Sequence, residues 1–358
     1  MPIIAEMKVI IGIFRSLALC FVVLMAVVSC GRKADYQELT GYAQGGTYSV
    51  KFNHSGVKTG ISEIRKSVDS ILTLVDTTLS GYNKGSQLSR FNAGVPVVPN
   101  EMFREIFTIS KRLYDETGGA LDMASGPLYD AWGFGFTNDS LPSAAVVDSL
   151  KAVCGMDKFD GNMSPLIPGI CPKLNFNAIA QGYTCDKIAE YLHSLGVRDM
   201  LVNIGEIYSE GLNPSGKPWT IGVDRPEDGN MELGGKGLVG IWRGDGSGRG
   251  VVTSGNYRKF YVKDGRKYSH TIDPRTGYPV NHTLLSATIV APDATLADAY
   301  ATYCMVIGLD EAKRFIESLD ELEGYLVYAE LEGYLVYADG DSMSEWASSG
   351  FNLVRDSR

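Results

Sequence analysis

Apolar residues in this chain repeat with two different periods, and the two alternate without a fixed rhythm. Ile64, Val68, Ile71, Leu72 and Val75 fall at helical spacing within 62–79, whereas Thr47 to Phe52 alternates like a strand. Further helices are expected at 101–117, 144–153, 182–195, 295–307 and 310–319. Strands are expected at 200–204, 219–223, 237–242, 250–253, 259–263 and 285–290. No regular βαβ alternation links them, so the pattern predicts an α+β fold of mixed, largely antiparallel sheets with packed helices. Gly235 to Gly240 formally reads GxGxxG, yet it leads into an apparent strand and lacks the setting that gives a dinucleotide site its mechanism.

The two ends of the chain differ from this globular middle. Lys8 and Arg15 bracket a basic region, and Leu17 to Val28 is almost wholly apolar, the length of a signal h-region and short for a membrane span. Ser29-Cys30-Gly31 follows directly and resembles a lipobox, which makes 1–29 a lipoprotein signal peptide and Cys30 the lipidation site. A plain secretory signal or an uncleaved anchor are the alternatives. Residues 30–40 are polar and read as a tether, with a single domain expected from 41 to 358. Such a protein is exported and lipid-anchored to a bacterial membrane, facing the periplasm. The net charge of −9, without a dense Lys/Arg run, excludes nucleic acid as a partner. Export permits disulfides, and Cys154 with Cys171 is the easiest pair by loop length; buried thiols are the other reading. Glu321 to Ala329 recurs without a gap as Glu330 to Ala338, a local duplication in which each copy reads as one strand.

Four stretches are too polar and glycine-rich for simple core elements. They run from Thr117 through Asp122 to Trp132-Gly-Phe-Gly, from Asn175 to Asp186, from Thr253 to Arg258 and on through Ser269 to Gly277, and from Ala297 to Thr302. In a helix, Asp298 and Thr302 share a face, offering hard oxygen ligands of the kind Mg²⁺ prefers, or else a solvated face or cap. His270 and Asp273 precede Pro274-Arg275-Thr276-Gly277, a tight basic turn that is either a phosphate cradle or a β-turn with an Asp cap.

Taken together, these blocks resemble the ApbE family of FAD:protein FMN transferases from about Gly41 onward. The resemblance rests on Ser269 to Pro279, Thr253 to Arg258, Gly118 to Asp122 with Gly126-Pro127-Leu128, and Leu79-Ser80-Gly81-Tyr82 with Ser89 to Asn92. It implies a catalytic domain with FAD, the substrate, in a central cleft. A bound Mg²⁺ would be held by the Ala178 carbonyl, Asp298 and Thr302. Tyr82, Ala120, Leu121, Asp122, Asn175, Gln181 and Ile272 would contact FAD, with His270 or Asp273 activating the incoming hydroxyl. The implied reaction transfers FMN to a Thr or Ser of an exported or membrane redox protein and releases AMP. An FAD pyrophosphatase giving FMN and AMP, or a non-catalytic FAD-binding protein, are the alternatives. The chain departs from the family pattern at Asn175, where Asp is common, and at Gln181. Val202-Asn203-Ile204-Gly205-Glu206 is also one glycine short, which would flip the following strand unless a bulge absorbs it.

Overall fold

The computed structural model describes residues 34–354 apart from 136–140, 167–171, 229–236, 258, 264–265 and 330–342. A hairpin of Tyr36–Ala43 (β1) and Gly46–Asn53 (β2) precedes helices Ile61–Leu79 (α1), Gln87–Asn92 (α2), Glu101–Glu116 (α3), Gly126–Ala131 (α4) and Ala144–Val153 (α5). Ala180–Ser194 (α6) leads into Met200–Asn203 (β3), Ile207–Glu210 (β4), Thr220–Asp224 (β5), Leu238–Arg243 (β6) and Arg249–Gly255 (β7). Short strands Phe260–Lys263 (β8), Arg266–Ser269 (β9), Ile272–Asp273 (β10) and Tyr278–Pro279 (β11) come next. The chain then forms Leu284–Ala291 (β12), Ala294–Ile307 (α7), Leu309–Glu317 (α8), Glu323–Ala329 (β13), Met343–Ala347 (β14) and Leu353–Val354 (β15).

Eight strands form the central sheet in the order β1-β2-β3-β4-β7-β12-β13-β14, and every neighbouring pair is antiparallel. The expected α+β class is therefore the observed one. All eight residues of β12 are buried because both faces of the sheet are covered. Ala287, Ile289 and Ala291 pack toward α7 and α8, while Val290 packs with Ile221, Val223 and Trp242 of the small β15-β6-β5 sheet. Helix α1 buries Ile64, Val68, Leu72 and Val75 at three- and four-residue intervals, each such side chain contributing roughly 1.5–3 kcal/mol.

Two expectations change, and a third is met for the copy that is described. Residues 36–40 are not tether: they pair with β2 as the outermost strand of the sheet, so the folded unit begins before 41. Cys154 is a buried free thiol, as are Cys185 and Cys304, while Cys171 lies outside the described residues. The first copy of the nine-residue repeat is β13, an interior strand between β12 and β14, and the second copy lies outside the described residues. The signal segment and Cys30 also fall outside them. No helix among the described residues is long and apolar enough to cross a membrane.

The apparent glycine deletion is absorbed within a turn. Ile204-Gly205-Glu206 links β3 to β4, and Val202 still faces Tyr208 across an intact ladder. Gly205 adopts φ of 105°, and a Cβ there would lie 2.8 Å from the Gln181 amide nitrogen.

Candidate active site

Helix α7 is alanine-rich and buried nearly all round, with Ala294, Ala297, Ala299, Ala301, Cys304 and Met305 in the interior. Small residues let backbones approach, and two glycines complete the fit. A Cβ on Gly182 of α6 would lie 2.1 Å from the Ala294 carbonyl oxygen. One on Gly250 of β7 would lie 2.3 Å from that of Asp293. Asp186 of α6 then reaches the first turn of α7, accepting from Ala294 N–H at 2.9 Å, Thr295 N–H at 2.8 Å and the Thr295 hydroxyl at 2.5 Å. Asp293, the N-cap residue, accepts from Leu296 N–H at 2.7 Å. A carboxylate is favoured at a helix N-terminus, although burial pushes that of Asp186 up to about 7. The orientation of α7 is thus fixed from α6, β7 and its own cap.

That orientation turns Asp298 and Thr302 into a cleft with a cavity of about 270 Å³. Asp298 accepts from Gly182 N–H at 3.1 Å, and the Thr302 hydroxyl lies 3.3 Å from that of Ser254 on β7. Ala178, at the start of α6, lines the same cleft. Its turn is set by Asn175, whose side-chain oxygen accepts from Asn177 N–H at 3.0 Å. The preceding Leu174 is held by Asn92 through two 2.8 Å bonds. Asn at 175 therefore retains a turn-forming acceptor without the charge of Asp.

Burial, and then the negative charge of Glu206, hold the Asp298 carboxyl well above the usual carboxylate range. The charges acting on it, Glu206 and Asp186, are both negative. Glu206 also lines the cleft. Paired acids beside a threonine hydroxyl and a backbone carbonyl form a hard-oxygen set suited to a divalent cation. Among the described residues, no group of three or more His, Cys, Asp or Glu could hold a metal by side chains alone. The fit rests on the mixed backbone, hydroxyl and carboxylate set.

The opposite side of the cleft carries His270. Its Nδ1 lies 3.0 Å from the Lys259 carbonyl oxygen, which can only accept, so Nδ1 carries the proton and the Nε2 lone pair is left for a donor. Burial and the Lys259 charge push the imidazole down to about 4, so it is neutral at neutral pH. Tyr82 sits at the rim and is 66% exposed. Ala120, Leu121 and Asp122 form a buried edge, where Asp122 accepts from Ala124 N–H at 2.8 Å and burial pushes its carboxyl up to about 7. Gln181 lines the cleft and donates to the Ile204 carbonyl at 3.1 Å.

Ten of the twelve residues expected at the site line this one cavity: Tyr82, Ala120, Leu121, Asp122, Asn175, Ala178, Gln181, His270, Asp298 and Thr302. Two do not. Both carboxylate oxygens of Asp273 are taken by the Arg275 guanidinium at 2.9 and 3.0 Å, and Arg275 N–H also donates to it. The Asp-Pro-Arg-Thr-Gly segment is therefore a capped turn, pinned by Trp132 Nε1 donating to the Gly277 carbonyl at 2.8 Å, with Pro274 lining the cleft. Ile272 packs its side chain with Leu128, Trp132 and Val147, so only its backbone faces the site's neighbours, its N–H meeting the Tyr129 hydroxyl. The sequence reading gave no role to Glu206, Lys259 or Asp186. Asp186 had a signal in its place within the Asn175 to Asp186 stretch; Lys259 had none.

A model of the ApbE family matches residues 44–326. The FAD:protein FMN transferase of Haemophilus influenzae is 32% identical over 318 residues, spanning 85% of this chain and 89% of that protein. That of Escherichia coli strain K12 is 33% identical over 301 residues, or 81% of each. Among solved structures, the flavin transferase ApbE from Vibrio cholerae superposes with a TM-score of 0.73 at 30% identity, covering 89% of this chain and 98% of that one. The apo form of Pseudomonas stutzeri flavinyl transferase ApbE gives 0.74 at 31% identity, covering 89% and 96%. The same fold and agreement in sequence across most of the length lead to one assignment: this chain belongs to the ApbE family.

Proposed function

We propose that this enzyme transfers FMN from FAD to a Thr or Ser hydroxyl of an exported or membrane redox protein, releasing AMP, with Mg²⁺ in the cleft. The observation that carries the proposal is the convergence of Asp298, Thr302 and the Ala178 segment on one cavity, with the neutral His270 imidazole also lining it. Asp298, Thr302 and the Ala178 carbonyl would hold Mg²⁺, which would neutralise charge developing on the pyrophosphate. His270 Nε2 accepts the proton of the incoming hydroxyl as its oxygen bonds to the FMN phosphorus, and the bond from that phosphorus to AMP breaks. Lys259 orients the imidazole through its carbonyl. An imidazole near 4 is a weak base on its own, and a bound pyrophosphate anion would raise it. Asp122 and the adjoining Ala120 and Leu121 hold the flavin half, with Tyr82 closing the rim.

Incubation with FAD, Mg²⁺ and a Thr-bearing acceptor, with AMP quantified, tests the reading. A flavin-fluorescent protein band on a denaturing gel together with AMP supports transfer. Free FMN with AMP indicates hydrolysis, and retained FAD without AMP indicates a binding protein. The exported location and lipid anchor at Cys30 belong to the same proposal. Incorporation of labelled palmitate into the parent chain and its absence from Cys30→Ala is the expected result.

A further inference from the structure

The hairpin that extends beyond His270 takes no part in this chemistry. Among the described residues, strands β8 and β9 pair only with each other, so no other described strand covers the hairpin's edges. Its root is the Lys259–His270 pair, where the His270 N–H donates to the Lys259 carbonyl at 3.1 Å. On one face Tyr261 and Tyr268 are direct cross-strand partners, their rings stacked at 5.3 Å. Phe134 stacks on Tyr261 at 5.1 Å and meets the His270 ring edge-on at 6.4 Å, and Trp132 stacks on Tyr268 at 5.9 Å. A row of rings thus runs from the reacting imidazole to a second cavity of about 240 Å³, lined by Trp132, Leu141, Tyr268, Tyr278 and Pro279.

We infer that this hairpin and its neighbouring cavity dock the acceptor polypeptide as an extended, acidic segment. An apolar side chain of that segment enters the Trp132–Tyr268 cavity, and its hydroxyl reaches His270. The inference rests on the transfer reading above and adds where the protein substrate binds. Three features carry it. An unpaired strand edge is a template for an added strand, whose backbone bonds bind and whose alternate side chains fill pockets. The edge and the rings are continuous with the reaction cleft, since Phe134, Lys259 and His270 line both. Charge selects the partner: the chain carries −9 overall, yet Lys259 and Lys263 are exposed at this hairpin, which favours a negative segment and repels a positive one. Half-buried Phe134, Tyr261 and Tyr268, with Val262, 54% exposed, supply apolar contact.

The test uses the full chain loaded with FAD and two short fluorescent peptides, each with one Thr and a Leu. One peptide has Asp residues flanking the Thr and the other has Lys at the same places. Binding is read by anisotropy, and FMN attachment by mass. The expected result is about tenfold tighter binding of the acidic peptide, a preference lost in Lys263→Glu. Tyr268→Ala is expected to weaken acidic-peptide binding about tenfold. FAD affinity of each variant reports whether it has folded. Equal binding of the two peptides, or unchanged binding in a folded Lys263→Glu, overturns the docking. Selective docking without AMP release or FMN attachment would leave this surface standing and overturn the transfer reading.

Discussion

The α6–α7 side of the cleft and the β8–β9 side are held by different physics. On the first, backbones touch at Gly182 and Gly250, Asp186 ties two helices together, and the functional groups project from a largely buried helix. On the second, a hairpin of two four-residue strands leans on stacked, half-buried rings and is fixed to the cleft by the bonds at Lys259. Close packing would hold the proposed cation and pyrophosphate to a tight geometry, which charge stabilisation requires. Rings and open edges tolerate varied side chains, which suits recognition of a protein substrate.

The largest effect that would confirm this division is expected at Asp298. Asp298→Ala should lower FMN transfer by at least about 10²-fold while FAD affinity falls much less; near-normal transfer would reject the cation site. His270→Ala should cost about 10²-fold in transfer. Because the free imidazole sits near 4, its base form is present above that pH and lost as pH falls through it. In kcat/KM for FAD, which reports the enzyme before the pyrophosphate binds, the profile should therefore hold level across neutral pH and drop only as pH falls toward about 4. A break near 6.5 would place His270 in a water-like setting instead.

Asp186 offers a subtler probe, since it touches no cleft group. Asp186→Asn keeps one acceptor oxygen and loses the other, and should cut transfer about tenfold. The Mg²⁺ concentration for half-maximal rate should rise, with recovery at excess Mg²⁺. A loss of rate with no change in Mg²⁺ requirement would reduce the residue to a fold-stabilising cap. The smallest effects concern stability and contrast the two sides directly. Gly182→Ala forces a methyl against the Ala294 carbonyl and should destabilise by about 1–3 kcal/mol. Val262→Ala on the hairpin should stay within about 0.5 kcal/mol. Thermal unfolding compares them, and equal losses would erase the distinction.

The α6–α7 side was readable in sequence because its information is local. Asp298 and Thr302 share a helical face by spacing, and the alanine-rich run around them favours helix throughout. Asp273 shows where such reading stops: nothing in the order of residues tells whether its carboxylate turns to the cleft or to Arg275, two positions on. Ile272 poses the same problem, since a strand of two residues has too short a pattern to show which face is buried. Strand β1 was read as a tether because an outermost strand packs on few partners and carries exposed Glu38, Thr40 and Tyr42. The hairpin rings come together from three separate segments, and only the folded chain shows their stacking.

Helix α7 serves at once as the pillar of the hydrophobic interior and as the mount for Asp298 and Thr302. An enzyme with this arrangement has no separately meltable catalytic lobe on that side. Heat inactivation should accordingly coincide with the cooperative melting of the whole domain, and activity should survive until the scaffold itself gives way.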